Sequence, residues 1–156
     1  MIVSLHPRGG PTLGGTRVTV TGRGFSPISP SPICRFGEND DIGATLVNST
    51  RIICEESLAA PPAKDDAAVH RLALEISIDG GATFTRSGRS FTYIDFTQIH
   101  ISSVTPSGGP RNGGTIITVA GHGFRDLGGS FGADVQSGLL CSFGDNLSGG
   151  ASLVDH

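Results

Sequence analysis

Hydrophobic and polar positions alternate along much of this chain in short runs, and glycine or proline closes almost every run. The clearest case places Leu72, Leu74, Ile76 and Ile78 on one face and Arg71, Ala73, Glu75 and Ser77 on the other. Val18 and Val20, separated by Thr19, repeat the pattern. A period of two is that of a strand buried on one side, and no stretch carries a helical period. The pattern predicts strands over residues 2–5, 17–21, 33–36, 44–47, 51–54, 72–78 and 91–94, with a further strand opening at 99–101. Pro7 with Gly9-Gly10-Pro11 reads as a turn, and Asp79-Gly80-Gly81 as a hairpin turn. Phe25, among small residues, is expected to plug one end of the core. About seven short strands with a turn every ten residues or so predict an all-β, immunoglobulin-like β-sandwich.

The same script is written twice. Residues 7–25, PRGGPTLGGTRVTVTGRGF, return at 106–124 as PSGGPRNGGTIITVAGHGF. Cys34-x-Phe36-Gly37 recurs as Cys141-x-Phe143-Gly144, and Ala44-x-Leu46-Val47 as Ala151-x-Leu153-Val154. The spacing grows from 99 to 107 residues between these matches, which places an eight-residue insertion around 127–137. A repeat of this length is a domain. The expected division is a first domain over 1–96 and a second over 97–156, the second incomplete at its C-terminus and the chain a piece of a longer one. Residues 95–98 are too few for a flexible tether, so the domains should sit end to end with restricted swing.

Composition narrows the function. The 24 glycines among 156 residues punctuate strands. A net charge of −3 offers no basic field for nucleic acid or anionic lipid. No apolar run is long enough to span a membrane, so no direct membrane insertion is expected, and the N-terminus carries no signal peptide. No G-x-S-x-G elbow, P-loop or G-x-G-x-x-G after a strand is present. The acidic turn Glu38-Asn39-Asp40-Asp41 lacks the spaced oxygens of a calcium loop and reads as a solvated turn. His6, His70, His100, His122 and His156 are scattered without zinc-type spacing. No cofactor or metal is expected.

The ordered series P-x-G-G-P-x-x-G-G-T, V-T-V-x-G-x-G-F, C-x-F-G, A-x-L-V-N-S-T, I-x-C, S-I-D-G-G-A-T-F and F-T-Y resembles the IPT/TIG domain. This is the immunoglobulin-like fold shared by plexins, transcription factors and related surface proteins. The resemblance covers the first domain and all of the second that is present. It implies a non-catalytic module, often in tandem, that acts by adhesion, recognition or spacing.

The resemblance also implies an intradomain disulfide between Cys34 and Cys54, the positions bridged in extracellular members. Two buried thiols in a reducing compartment are the alternative. By the same correspondence the partner of Cys141 would fall at position 161, past His156. Asn48-Ser49-Thr50 and Asn146-Leu147-Ser148 are N-glycosylation sequons in turn-like stretches. The expected role is contact with protein partners and neighbouring repeats, without nucleic acid, in a larger extracellular or cell-surface protein. Loops 26–32, 57–66 and 127–137 are the candidate contact segments. Two alternatives are an intracellular scaffold, for instance ciliary, and an accessory domain of a carbohydrate-active enzyme. The second is disfavoured because the chain has no Trp and one Tyr for stacking on sugar.

Overall fold

The computed structural model describes residues 1–26, 31–38, 41–57, 59–60, 69–127, 139–143, 146–151 and 154. In the first half the strands are β1 (Ile2–His6), β2 (Gly9–Pro11), β3 (Arg17–Gly22), β4 (Ile33–Phe36), β5 (Ile42–Asn48), β6 (Arg51–Glu56), β7 (Val69–Ser77) and β8 (Ser90–Ile94). They hydrogen-bond in the order β1-β3-β6-β5-β4-β7-β8-β2. All neighbours are antiparallel except β2, which lies parallel to β8.

One strand turns this ribbon into two layers. The start of β5 pairs with β4, Ile42 opposite Cys34 and Gly43 opposite Ile33. Its remainder pairs with β6, Ala44 opposite Cys54 and Leu46 opposite Ile52. A strand that changes partner midway lets the sheet fold back over itself, so alternate residues of both layers meet. Val18, Val20 and Ile52 come from one layer; Phe36, Leu74, Ile76, Phe91 and Tyr93 come from the other, all in a single buried cluster. Phe36, Phe91 and Tyr93 meet edge to face, with Phe36 and Phe91 centroids 5.2 Å apart and Phe91 and Tyr93 4.9 Å apart. Such pairs add about 0.5–1.5 kcal/mol each beyond the area they bury. Phe25 is buried at the end of this cluster. A Cβ on Gly22 would stand 2.4 Å from its ring, so the small residue makes the seat.

The structure corrects the sequence reading at Gly9-Gly10-Pro11. These residues form β2, with Gly9, Gly10 and Pro11 opposite Thr92, Tyr93 and Ile94. The glycines serve closeness of approach. A Cβ on Gly9 would lie 2.3 Å from the Thr92 carbonyl oxygen, and one on Gly10 would lie 2.0 Å from Thr16 Oγ1. Turn chemistry belongs to the next pair, Gly14 and Gly15, at φ 83° and 80°. A second correction concerns Ser77, which alternation places on the solvent face. It is fully buried, and its hydroxyl donates to Asp79 and accepts from the Gly81 amide, so it begins the turn.

The second half comprises β9 (His100–Thr105), β10 (Thr118–His122), β11 (Leu139–Phe143) and β12 (Asn146–Ala151), in two antiparallel pairs, β9 with β10 and β11 with β12. Its β9–β10 register copies β1–β3: Val104 faces Val119 as Leu5 faces Val20, with the same irregularity near the glycine. The 17–21 strand has a shorter counterpart than its sequence predicts. β10 begins at Thr118, whereas β3 begins at Arg17, because Arg17 and Val18 pair with Glu56 and Cys54 of β6. Among the described residues no strand pairs with Ile116 or Ile117.

Candidate contact surface

Cys34 sits at the centre of β4 and Cys54 in β6, and β5 lies against both. The sulfurs are 2.02 Å apart and the Cα atoms 5.8 Å apart, a disulfide spanning 20 residues of sequence. Both cysteines are fully buried within the core cluster. The bridge joins the strands on either side of the partner switch, where, among the described residues, β4 and β5 share two residue pairs. Cys141, 107 positions after Cys34, is half-buried in β11.

Beside this staple, the polar face of β4 and β7 and the segment leading into β8 are bound together by charge-assisted hydrogen bonds. Arg35 Nε and Nη2 donate to the two carboxylate oxygens of Asp41 at 2.7 and 3.0 Å. This fork raises the guanidinium pKa, and the same group lies 3.7 Å over the ring of Phe84. Asp79 accepts from Ser77 Oγ, from the Thr83 amide and from Thr83 Oγ1. Those donors, Ser77 foremost, hold its carboxyl at about 2, below the ordinary carboxylate range. Glu75 accepts from Thr85 Oγ1 and from the Ser87 amide. Backbone bonds from Thr85 to Ile76 and from Leu74 to Arg89 run the segment along β7. The result is a loop of fixed shape. Its carboxylates accept from local donors and so hold the backbone of the loop in place.

Toward the other end of β7, where Tyr93 pairs with His70, Ser57 is buried and its hydroxyl accepts from the Thr16 amide. Burial pushes the Tyr93 phenol up, partly offset by its hydrogen bond with Ser57. Ser57 thus ties the exit of β6 to the start of β3 and to β8. Among the described residues no group of three or more His, Cys, Asp or Glu is placed to hold a metal ion. Likewise among the described residues, no helix is long and apolar enough to cross a membrane.

The remaining residues singled out from the sequence separate clearly. Asn48 ends β5 and is exposed; its Oδ1 accepts from the Thr50 amide at 2.9 Å and Thr50 Oγ1 at 2.8 Å, an Asx turn within the sequon. Asn146 is the first residue of strand β12, where the sequence reads turn-like. In the acidic turn, Asp41 is engaged by Arg35, and Asn39 and Asp40 lie outside the described residues. Of the three candidate loops, residues 27–30, 58, 61–66 and 128–137 lie outside them too. Sequence spacing misses one pairing: His100 and His122 face each other across β9 and β10 with ring centroids 5.2 Å apart. The signal was available in the repeat, since Met1 and Arg23 occupy the equivalent positions and bond there through their backbones.

A two-layer all-β core, a buried intersheet disulfide and locally satisfied polar loops define an immunoglobulin-like module, here begun twice. The family follows from sequence comparison. The model of the IPT/TIG domain matches residues 1–93 and 99–151, and the chain belongs to the IPT/TIG domain family. Human Plexin-A3 is 30% identical over 122 residues, 77% of this chain and 6% of its own length. Human Fibrocystin-L is 32% identical over 125 residues, 80% of this chain and 3% of its own length. The chain therefore spans only a small part of either relative. Among solved structures, the Plexin A4 full extracellular region aligns with 68% of this chain and 8% of its own, at 21% identity and a TM-score of 0.46.

Proposed function

We propose that this chain is a non-catalytic contact and spacing segment of an extracellular or cell-surface protein, acting through protein–protein contact. The observation that carries the reading is the buried Cys34–Cys54 disulfide at the joint between the layers. Such bridges form and persist in oxidising compartments and are rare in the cytosol. Membership of the IPT/TIG family and similarity to Plexin-A3 and Fibrocystin-L support it. The rigid sandwich offers its end loops and the face around Arg35, Phe84 and Asp79 to protein partners, with neighbouring repeats of the same protein beside it. We place the boundary between the repeats at 96/97, within the short 3₁₀ turn Phe96–Gln98. Asn48, exposed on a hairpin end, and Asn146 are the two sequons proposed to carry glycans.

Thiol labelling of the protein from its native source tests the compartment. Cys34 and Cys54 should resist alkylation in denaturant until a reductant is added. Labelling of both without reductant would return the intracellular scaffold. Deglycosylation followed by mass spectrometry should convert Asn48 to Asp, and an unconverted Asn48 would remove it as an acceptor.

A further inference from the structure

The two repeats touch at a second place besides their linker. The amide of Arg8, at the entrance to β2, donates to the Leu127 carbonyl oxygen at 2.7 Å. The Leu127 side chain lies over Gly9, whose hypothetical Cβ would stand 2.8 Å from Leu127 Cδ2. Any larger residue at position 9 would evict it. We propose that Leu127 is a latch: the second repeat reaches back from its Gly-x-Gly-Phe motif, seats on Arg8-Gly9, and locks the two repeats in one orientation.

Three observations support a lock over a casual touch. The linker is itself folded: Asp95 Oδ1 accepts from the Thr97 amide and hydroxyl, and Gln98 and Ile99 amides close the 3₁₀ turn. Those hydrogen bonds, the Thr97 hydroxyl first, lower the Asp95 pKa. Gly123 then presses on the linker, with a Cβ there placed 2.8 Å from the Gln98 carbonyl oxygen. Leu127 follows four residues later and binds elsewhere. Arg8 accepts from Thr92, whereas the chain leaves β8 after Ile94. At ~3.3 Å per residue the latch stands roughly 7 Å back along the strand from the exit. A body held at one point swings; held at two separated points, it loses that rotation. Short contacts between domains otherwise leave relative motion as the default.

Among the described residues the seat is occupied in the first repeat and not in the second. Among the described residues, Gly108, the equivalent of Gly9, has nothing within 4 Å of its Cβ position. Leu127 opens the insertion that the first repeat lacks, so the latch came with those added residues. This proposal holds whichever compartment the protein occupies.

Spin labels at Arg51→Cys and Ser103→Cys, in the 156-residue chain carrying Cys141→Ala, report the distance between repeats. One narrow distribution is expected, widening at least about twofold with Leu127→Asp, on the scale of free domain motion. Leu127 lies outside the core cluster, so thermal unfolding of the first repeat should stay unchanged and excludes simple misfolding. A distribution already broad without that substitution, or one that Leu127→Asp leaves untouched, overturns the latch.

Discussion

The two repeats share their local geometry and differ in what that geometry buries. Gly14, Gly15 and Gly24 adopt φ of 83°, 80° and 75°; Gly113, Gly114 and Gly123 adopt 79°, 83° and 87°. The first hairpin pairs residue for residue in the same register in both. Yet Ile2 is 3% exposed and Ile101 is 56%, and Leu5 is 7% exposed and Val104 is 41%. The equivalent side chains face a second layer in one repeat and solvent in the other. Turns and hairpins are therefore set by nearby residues, whereas burial is set by strands distant in sequence.

The widest gap between the repeats should appear at Phe36 and Phe143. Phe36→Ala removes a ring packed on Phe91 and Tyr93 and should cost about 3–5 kcal/mol in urea unfolding. Phe143, 53% exposed, should cost under about 0.5 kcal/mol when replaced by Ala. Equal costs would mean that the second repeat packs a core of its own in solution.

Next in size is the staple. Replacing Cys34 and Cys54 together by Ala frees a loop of 20 residues and should lower stability by about 3 kcal/mol in the chain-entropy account. Cys141→Ala should lower it by less than about 1 kcal/mol. An undiminished midpoint in the double variant would show that β5 and the shared core hold the two layers together without the bridge.

The smallest effect is electrostatic and confined to the first repeat. Asp79 titrates at about 2 when folded, below its ordinary value near 3.8. A depressed folded pKa adds stability above the ordinary value, and that contribution drains away as pH falls from about 3.8 to about 2. The amide signals of Gly81 and Thr83 should shift with a midpoint at about 2, and Asp79→Asn should abolish the shift. A midpoint near 3.8 would mean that the turn's hydrogen bonds are absent in solution.

Particular residues show where sequence reading stops. Leu72, Leu74 and Ile76 announce their strand because a period of two needs no knowledge of the partner. Gly9-Gly10 reads as a turn because glycine marks both left-handed backbone and tight approach, and only the position of Thr92 and Thr16 separates the two. Ser77 reads as solvent-facing because its alternation is correct while its hydroxyl is claimed by a turn that begins two residues later. The His100–His122 pairing could be read only through the repeat, from the equivalent Met1 and Arg23, whereas the Leu127 seat joins residues 119 positions apart with no signal between them.

The sequence by itself determined the all-β class, the doubled layout, most of the strand spans and the family, because each rests on patterns a few residues long or on order along the chain. Only the tertiary structure decided that β5 changes partner to make two layers, that β2 joins β8, and that Leu127 reaches the first repeat. Those outcomes follow from competition among distant segments for the same hydrogen bonds and the same apolar surface, and no local pattern records who wins.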